Sequence, residues 1–472
     1  MRNSEDIWDR VDGRKAEFIA LADRVWEMPE LNFAEVRSAE EHRAALEAQG
    51  FRVTTGLADI PTAVMGEAGE GGPVIAILGE YDALPGLSQE AGVAEHRPRP
   101  GEAAGHGCGH NLLGAGAMLA AAAVKDWLAE HGIQGRVRYY GCPAEEGGSA
   151  KAFLARSGAF ADVDVAISWH PAHFAGVTRA KSLANSILDF TFNGRASHAA
   201  AAPHLGRSAL DAVELMSVGV NYMREHMPSD ARVHYAYLDA GGIAPNVVQA
   251  RATVRYVVRA ADIAALKDLV ARVRKIADGA ALMTETTVET AIVAGMSNLV
   301  GNAALEAVMD AQLRRLGPPD FDAADRELAA RFQATMAEDD VRSAFQAHGL
   351  PVDLGKPLCD DILPLNAEGV GGIGSTDVGD VSWVVPTVQA WGATCAIGTP
   401  FHSWQFTGQG KAAAAHKGMV HVAKVMAGTA VELLRDGDLV RRAKDEFADR
   451  LGGRSYECPI PAEVGPALRM SL

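Results

Sequence analysis

The segment Gly105-His106-Gly107-Cys108-Gly109-His110-Asn111 leads into an apolar, alanine-rich stretch that runs from Leu112 to His131. Its most apolar part ends at Lys125-Asp126, which is too short to span a bilayer and is typical of a buried core helix. Short apolar strands are predicted before it at residues 73–78 and after it at 136–140 and 163–168. Alternating strands and helices predict an α/β sheet with parallel strands.

The middle of the chain follows another pattern. Strands and helices alternate there in the order βαββαβ, which is typical of a ferredoxin-like unit, at residues 186–193, 205–224, 232–238, 247–258, 263–277 and 284–292. We therefore predict a main α/β domain in two parts, 1–185 and 297–472, with a smaller α+β domain inserted at 186–296.

Further helices complete the main domain. The first 50 or so residues have helical spacing of apolar side chains. Residues 317–365 are acidic, helix-prone and broken by prolines, and we predict a helical elaboration there. A long amphipathic helix at 408–434 is predicted to close the chain.

The length, charge and cysteine content of the chain limit the classes of protein to which it can belong. A chain of 472 residues is too long for one ordinary core, so two domains are expected. The net charge of −16 argues against a nucleic-acid partner. Five scattered cysteines give no disulfide framework, and the charged N-terminus has no apolar core of a signal peptide. We expect a cytoplasmic protein without a membrane partner.

Cys108 and His110 are separated by a single glycine. In an extended segment, residues i and i+2 face the same side, so both side chains could reach one metal ion. Gly107 and Gly109 would let the backbone approach closely. The alternative is a buried free cysteine beside a histidine that caps the following helix.

The segment 142–148, Cys-Pro-Ala-Glu-Glu-Gly-Gly, places two carboxylates side by side. Glu145 and Glu146 cannot both be buried and ionised without partners. One could bind a metal while the other acts as a base. The alternative is a solvated acidic turn.

His170 and His402 stand in turn-like settings and could complete a metal site, although each alone could equally be a satisfied core histidine. Asp82 could accept a hydrogen bond from a ligand imidazole, or be a simple turn residue. Asp82, the glutamate pair and His170 all follow predicted strands, where α/β sheets build their sites. Together these residues predict metal-assisted hydrolysis.

Five motifs carry a resemblance to the M20 family of metallopeptidases and amidohydrolases, and to its cysteine-ligand branch in particular. They cover nearly the whole chain in the family's order: Gly79 to Pro85, Gly107 to Asn111, Pro143 to Gly148, Gly194 to Ala199 and Pro245 to Val248. The segments 374–383 and 398–405 further resemble the B-type chain of the aminobenzoyl-glutamate hydrolases. The family's usual aspartate after Cys-Gly-His is Asn111 here, as in the more similar relatives.

The resemblance implies a zinc-exopeptidase-like catalytic domain with a mixed sheet, in which the ferredoxin-like unit is a lid and dimerisation domain. It implies a catalytic base, Glu145, and an orienting aspartate, Asp82. It also implies that two divalent metal ions, Mn²⁺ or Zn²⁺, are held by Cys108, His110, Glu146, His170 and His402.

On the lid, the resemblance implies that His198 stabilises the oxyanion, often across a dimer. Asn246 and Arg259 would bind the carboxylate end of the substrate, with Arg251 and Arg255 as nearby competitors for the arginine role.

The implied reaction is hydrolysis of an N-acyl amino acid, with p-aminobenzoyl-glutamate as the expected substrate and folate catabolism as its setting. The alternatives are a dipeptidase, another N-acyl-amino-acid hydrolase, or a subunit that needs a sister chain for activity. The implied partners are a second copy or a related subunit, bound through the lid.

Overall fold

A computed structural model describes residues 3–178, 181–365 and 374–468 of the protein. Numbered along the chain, the helices are α1 (Asn3–Glu27), α2 (Val36–Ala48), α3 (His110–His131), α4 (Ala150–Arg156), α5 (Ala209–Met223), α6 (Ile263–Thr284), α7 (Ala303–Leu316), α8 (Ala323–Gln333), α9 (Glu338–Gln346), α10 (Val378–Ser382), α11 (Trp404–Gln409), α12 (Ala413–Arg435) and α13 (Gly437–Leu451). The strands are β1 (Arg52–Thr55), β2 (Val64–Glu70), β3 (Val74–Glu80), β4 (Leu84–Pro85), β5 (Ala104–Gly105), β6 (Gly135–Cys142), β7 (Val165–Ala172), β8 (Gly176–Val177), β9 (Ala184–Asn193), β10 (Arg232–Asp239), β11 (Arg251–Ala260), β12 (Thr287–Met296) and β13 (Thr387–Ala393).

The main sheet is mixed. In the described part of the chain it has seven strands in the order β1-β2-β6-β3-β7-β13-β8. The central strands β6, β3, β7 and β13 are parallel, while β1, β2 and β8 pair antiparallel at the edges. This confirms the mixed α/β sheet that the resemblance implies.

Both faces of this sheet are covered by helices. Along β3, Ile75 and Ile77 enter the core beneath α1, α3 and α12, whereas Val74, Ala76 and Leu78 enter the core beneath α4 and α10. A strand buried on both faces is uniformly apolar, as this one is. Helix α3 is apolar and long enough to cross a membrane, but 83% of its most apolar window is buried inside the protein.

The second sheet has the order β10-β11-β9-β12, and every pairing in it is antiparallel. Helices α5 and α6 pack on it around Phe190, Phe192 and Val254. The βαββαβ order and the strand arrangement confirm the ferredoxin-like unit. The predicted domain boundaries at 185/186 and 296/297 stay a prediction.

The structure places the ends of two predicted elements differently. His170 lies inside β7 rather than after it, because β7 continues through Pro171 while paired with β13. The chain also does not close on the helix at 408–434. A turn at Gly410 separates the short helix α11 from α12, and α13 follows, capped by the Asp436 side chain.

The segment 317–365 contains α8 and α9, in agreement with a helical elaboration. Phe332 and Val341 pack in one cluster with Ala396 and Ile397. The Gln333 side-chain amide also donates to the Ile397 carbonyl at 3.0 Å. This segment therefore supports the loop that leads to His402.

Candidate metal centre

The turn at Cys108-Gly109-His110 differs from the predicted extended segment. His110 is the first residue of α3, and Gly109 before it has a left-handed backbone with φ +77°. A side chain at Gly109 would be strained and would approach Phe406 and Pro171 closely. The turn, rather than strand alternation, brings the thiol and the imidazole to the same place.

All five predicted metal ligands lie together. Cys108 Sγ is 3.4 Å from His170 Nε2, and His402 Nε2 is 3.3 Å from Glu146 Oε2. Their ligand atoms form two groups, each within 4.8 Å, that share the thiol: Cys108, His110 and His170, and Cys108, Glu146 and His402. Sulfur, imidazole nitrogen and carboxylate oxygen form a donor set that suits a divalent transition metal.

Two of the candidate ligand histidines are oriented by their other ring nitrogen. His110 Nδ1 contacts Asp82 Oδ1 at 2.8 Å, and His170 Nδ1 contacts the Pro171 carbonyl at 2.8 Å. With a proton on each Nδ1, Nε2 presents its lone pair to the cluster. His110 Nε2 and Glu146 Oε1 are buried and make no hydrogen bond among the described residues, although His110 Nε2 lies 3.2 Å from Glu80 Oε2. Unsatisfied buried atoms of this kind fit a metal site.

Glu145 is buried and the side chain of Glu146 is only 7% exposed, so the alternative of a solvated acidic turn does not hold. Burial raises the pKa of Glu145 well above its usual value, and the neighbouring Glu80 and Glu146 raise it further. Burial raises the pKa of Glu146 to about 7, although His110 opposes the shift. Glu145 also groups with Glu80 and His110 within 4.8 Å, which places a carboxyl with a raised pKa directly beside the ligands.

Asp82 joins the two parts of the centre. One carboxylate oxygen contacts His110, and the other accepts the backbone N–H of Glu146 at 2.9 Å. Next to it, the fully buried Lys151 donates to Glu80 Oε1 and to Asp377 Oδ1, both at 2.6 Å. Burial opposes the lysine charge, but Asp377 and Glu80 raise the pKa of Lys151 well above its usual value. Lys151 thus offsets part of the negative charge around Glu145.

Sequence reasoning assigned no role to Glu80, Lys151 or Asp377. Glu80 is the last residue of β3, at the sheet edge where Asp82 was already a candidate. The position of Glu80 at this edge, and a lysine in the first turn of the alanine-rich α4, were the features of the sequence that could have pointed to these residues. Sequence alone did not indicate that these side chains meet.

The His402 loop carries aromatic side chains into the centre. His402 has a left-handed backbone with φ +57°, and its N–H donates to the Gly107 carbonyl at 2.9 Å, which ties the loop to the Cys108 turn. The Phe401 ring lies edge-on to the His170 ring, with 6.0 Å between the ring centroids, and stacks on the Phe406 ring, with 5.3 Å between centroids. It nevertheless stays 41% exposed. The centre therefore has an open aromatic surface beside a metal ligand.

His198 and Asn246 lie on the second sheet's loops. His198 is exposed, and its Nδ1 accepts the backbone N–H groups of Ala200 and Ala201. Asn246 is also exposed, and its backbone carbonyl accepts the Ala199 N–H. These two loops are adjacent. Within residues 3–178, 181–365 and 374–468, neither His198 nor Asn246 forms a hydrogen bond with a candidate metal ligand, and neither belongs to a group of side chains that could hold a metal ion.

The three candidate arginines differ in their partners. Arg255 makes two contacts with Asp189, at 2.7 and 2.8 Å, and Arg251 contacts Asp239 at 3.5 Å. Arg259 donates to Ser375 Oγ at 2.7 Å, and no carboxylate of the described ranges lies within ion-pair distance of it. Burial lowers the pKa of Arg259. Of the three, Arg259 has the positive charge that is still available to an acidic ligand.

Comparison with known proteins shows which family the chain belongs to. Residues 76–462 match peptidase family M20/M25/M40. The chain is 45% identical to the B-type chain of p-aminobenzoyl-glutamate hydrolase from Escherichia coli K12, over 98% of both chains. It is 28% identical to the mouse Xaa-Arg dipeptidase, over 94% of this chain and 91% of that one.

A solved structure shares the fold. A dinuclear metal-binding M20-family peptidase from Bacillus subtilis superposes with a TM-score of 0.58 at 17% identity, over 90% of this chain and 99% of that one. At this identity the likeness concerns the fold alone.

Proposed function

The chain belongs to peptidase family M20/M25/M40, and on this premise we propose that it hydrolyses the amide bond of an N-acyl amino acid with two divalent metal ions. The observation that carries the proposal is the convergence of five ligand side chains beside the buried Glu145. Cys108 belongs to both ligand groups, which supports two neighbouring ions rather than one. The softness of a thiolate favours Zn²⁺, while the carboxylate and imidazole ligands also admit Mn²⁺.

Each residue has a distinct task in the proposed reaction. Bound divalent ions would lower the pKa of a water molecule and polarise the amide carbonyl. Their positive charge would also lower the raised pKa of Glu145. The ionised Glu145 takes a proton from the attacking water as the new C–O bond forms, and gives it to the leaving nitrogen as the C–N bond breaks. Asp82 holds His110 and the Glu146 backbone in place. His198 donates a hydrogen bond to the oxyanion.

We propose p-aminobenzoyl-glutamate as the substrate, with p-aminobenzoate and glutamate as products, a step of folate catabolism. The 45% identity to the Escherichia coli hydrolase chain over nearly the whole length supports this choice. Arg259, with Asn246, would bind the glutamate carboxylate, since an arginine can do so through two parallel hydrogen bonds. The exposed face of Phe401 suits an aromatic acyl group.

A dipeptidase is the second candidate, because the mouse Xaa-Arg dipeptidase is similar over 94% of this chain. The catalytic residues would be the same, and only the leaving group would differ. An assay of p-aminobenzoyl-glutamate against dipeptides that end in arginine separates the two candidates by their kcat/KM.

We propose that the protein assembles through its lid, as a homodimer or with a related subunit. The Escherichia coli relative is by its name one of the subunits of its hydrolase, which supports the second form. Strand β10 is an edge strand that exposes Tyr235, Tyr237 and Leu238, and such edges readily pair with another chain. A cytoplasmic location is likewise proposed, supported by five free cysteines.

The test of the proposed reaction is glutamate release from p-aminobenzoyl-glutamate by the purified chain with added Mn²⁺. Glu145→Gln is expected to lower kcat by roughly 100- to 10,000-fold while about two ions remain bound. Glu47→Gln, on the exposed side of α2, is the matched control. Full activity in Glu145→Gln contradicts the assigned base, and absence of bound metal in the parent contradicts the whole proposal.

A further inference from the structure

Glu35 is a carboxylate that is fully buried just before α2, far along the chain from the metal ligands. Its Oε1 accepts two backbone N–H groups, those of Phe33 and Ala144, each at 2.9 Å. Its Oε2 accepts the Thr62 hydroxyl at 3.2 Å. One side chain thus links the α1–α2 connection to the residue that immediately precedes Glu145.

The two backbone donors share an unusual conformation. Phe33 has φ +60° and Ala144 has φ +53°, in the left-handed region that residues with a Cβ rarely adopt. Strained positions of this kind persist only where their surroundings hold them. Both N–H groups point to the same oxygen of Glu35, so this carboxylate stabilises both strained residues at once.

Ala144 in turn closes the loop that carries the glutamate pair. Its carbonyl accepts the N–H groups of Gly148 and Ser149, at 2.9 and 2.8 Å. A side chain at Gly148 would collide with the ring of Phe33, so Phe33 lies directly against the same turn. The direction in which Glu145 and Glu146 leave the backbone therefore depends on how Ala144 and Phe33 are held.

We propose that Glu35 is a positioning residue whose carboxyl group holds the 144–149 turn so that Glu145 faces the reacting water and Glu146 faces the metal. The proposal rests on the proposed function, which gives those two glutamates their roles. Glu35 acts through the backbone of Ala144 and touches neither metal nor substrate.

The chemistry of the contact predicts which substitutions are tolerated. Burial, and then the charge of Asp82, raises the pKa of Glu35 to about 8, so a neutral group is compatible with the site. Glutamine keeps an oxygen for the two N–H donors and can donate its amide to the Thr62 hydroxyl. Alanine leaves both N–H groups buried without an acceptor.

The experiment compares Glu35→Gln, Glu35→Ala and Thr62→Val in the full chain. We measure kcat and KM with p-aminobenzoyl-glutamate, Mn²⁺ affinity by chelator competition, and the visible spectrum of the Co²⁺-substituted protein. Glu35→Ala is expected to lose roughly 10- to 100-fold in both kcat and metal affinity, with an altered Co²⁺ spectrum and KM close to the parent value. Glu35→Gln and Thr62→Val are expected to stay close to the parent, since each keeps both N–H contacts.

Three outcomes overturn the proposal: a folded Glu35→Ala with parent kcat and metal affinity, a Glu35→Gln as impaired as Glu35→Ala, or a Thr62→Val with the same loss. If Glu35→Ala does not fold, Glu35→Asp replaces it, because its shortened side chain cannot reach both N–H groups. If the parent itself does not hydrolyse the substrate, the proposed function fails. The order of the variants in Mn²⁺ affinity then still decides the role of Glu35, since Glu146 lies on the same turn.

Discussion

At Asp82, one side chain holds two parts of the metal centre. Its two oxygens contact His110 Nδ1 and the Glu146 N–H. In Asp82→Asn, the amide nitrogen cannot accept, so one of the two contacts is lost. We expect metal affinity to fall by roughly 10- to 100-fold, measured by chelator competition. Asp189→Asn, which breaks an ion pair with Arg255 on the second sheet, should leave metal affinity unchanged.

Phe401 offers its aromatic face beside His170, and contact with the acyl group of the substrate is its proposed role. We expect Phe401→Leu to lower the ratio of kcat/KM for p-aminobenzoyl-glutamate to that for N-acetyl-glutamate. An aromatic contact contributes about 0.5–1.5 kcal/mol, and the ratio of the two kcat/KM values should fall by the corresponding factor. An equal loss on both substrates would show that Phe401 only supports the loop.

The candidate ligands could be recognised in the sequence because each motif holds its chemistry within a few residues. Cys108 and His110 are two positions apart, and Glu145 and Glu146 are adjacent. Lys151 and Asp377, by contrast, are 226 positions apart. Such a contact depends on the tertiary packing of α4 against α10, which no local pattern records. The same is true of the contact between Glu35 and Ala144.

Among the elements, α10 is tied to the end of β12 and to the C-terminal segment through Asp380. This buried carboxyl accepts hydrogen bonds from the Ser297 N–H and hydroxyl and from the Tyr456 hydroxyl. Burial raises its pKa to about 7, although Ser297 opposes the shift. The folded protein therefore keeps a proton on Asp380 at a pH where the unfolded chain has lost it.

This proton gives a pH dependence with a definite sign. Between the usual value of 3.8 and about 7, the contribution of Asp380 to the unfolding free energy falls as pH rises, by up to about 1.4 kcal/mol per pH unit. Asp380→Asn removes this slope, so its stability relative to the parent should improve from pH 5 to pH 7 in urea unfolding. Asp278→Asn, at an exposed position of α6, should show a constant difference. The same constant difference in Asp380→Asn would contradict the raised pKa.

Helices and strands with strong hydrophobic periodicity were predicted to within a few residues, but their ends and connections could not be predicted as well from the sequence. The α11–α12 break at Gly410 and the added α13 depend on capping and on packing against α7 rather than on hydrophobic periodicity. Strands β1 and β2 were not predicted. The short edge strand β1 is largely exposed, and the paired strand β2 fully buries only every second residue, so both carry a weak apolar signal.

For the whole molecule, the separation of the metal ligands from the lid residues is the important feature. His198 and Asn246 are exposed on adjacent loops of the second sheet, and their described contacts are with those loops. Edge strand β10 of the same sheet is open to pairing. In the proposed dimer, the lid residues of one chain would serve the metal centre of the other.

This arrangement predicts complementation between two inactive variants. In Glu145→Gln the metal centre lacks its base but His198 is intact, whereas in His198→Ala the base is intact but the oxyanion donor is missing. If His198 acts across the dimer, a mixed dimer contains one centre with both groups, and mixing the two purified variants after subunit exchange should restore p-aminobenzoyl-glutamate hydrolysis that neither shows alone. If His198 acts within its own chain, every centre in the mixed dimer lacks one group, and activity stays absent. Mixing Glu145→Gln with Glu145→Ala gives the matched control, because both changes remove the same base and the mixed dimer then contains no intact centre.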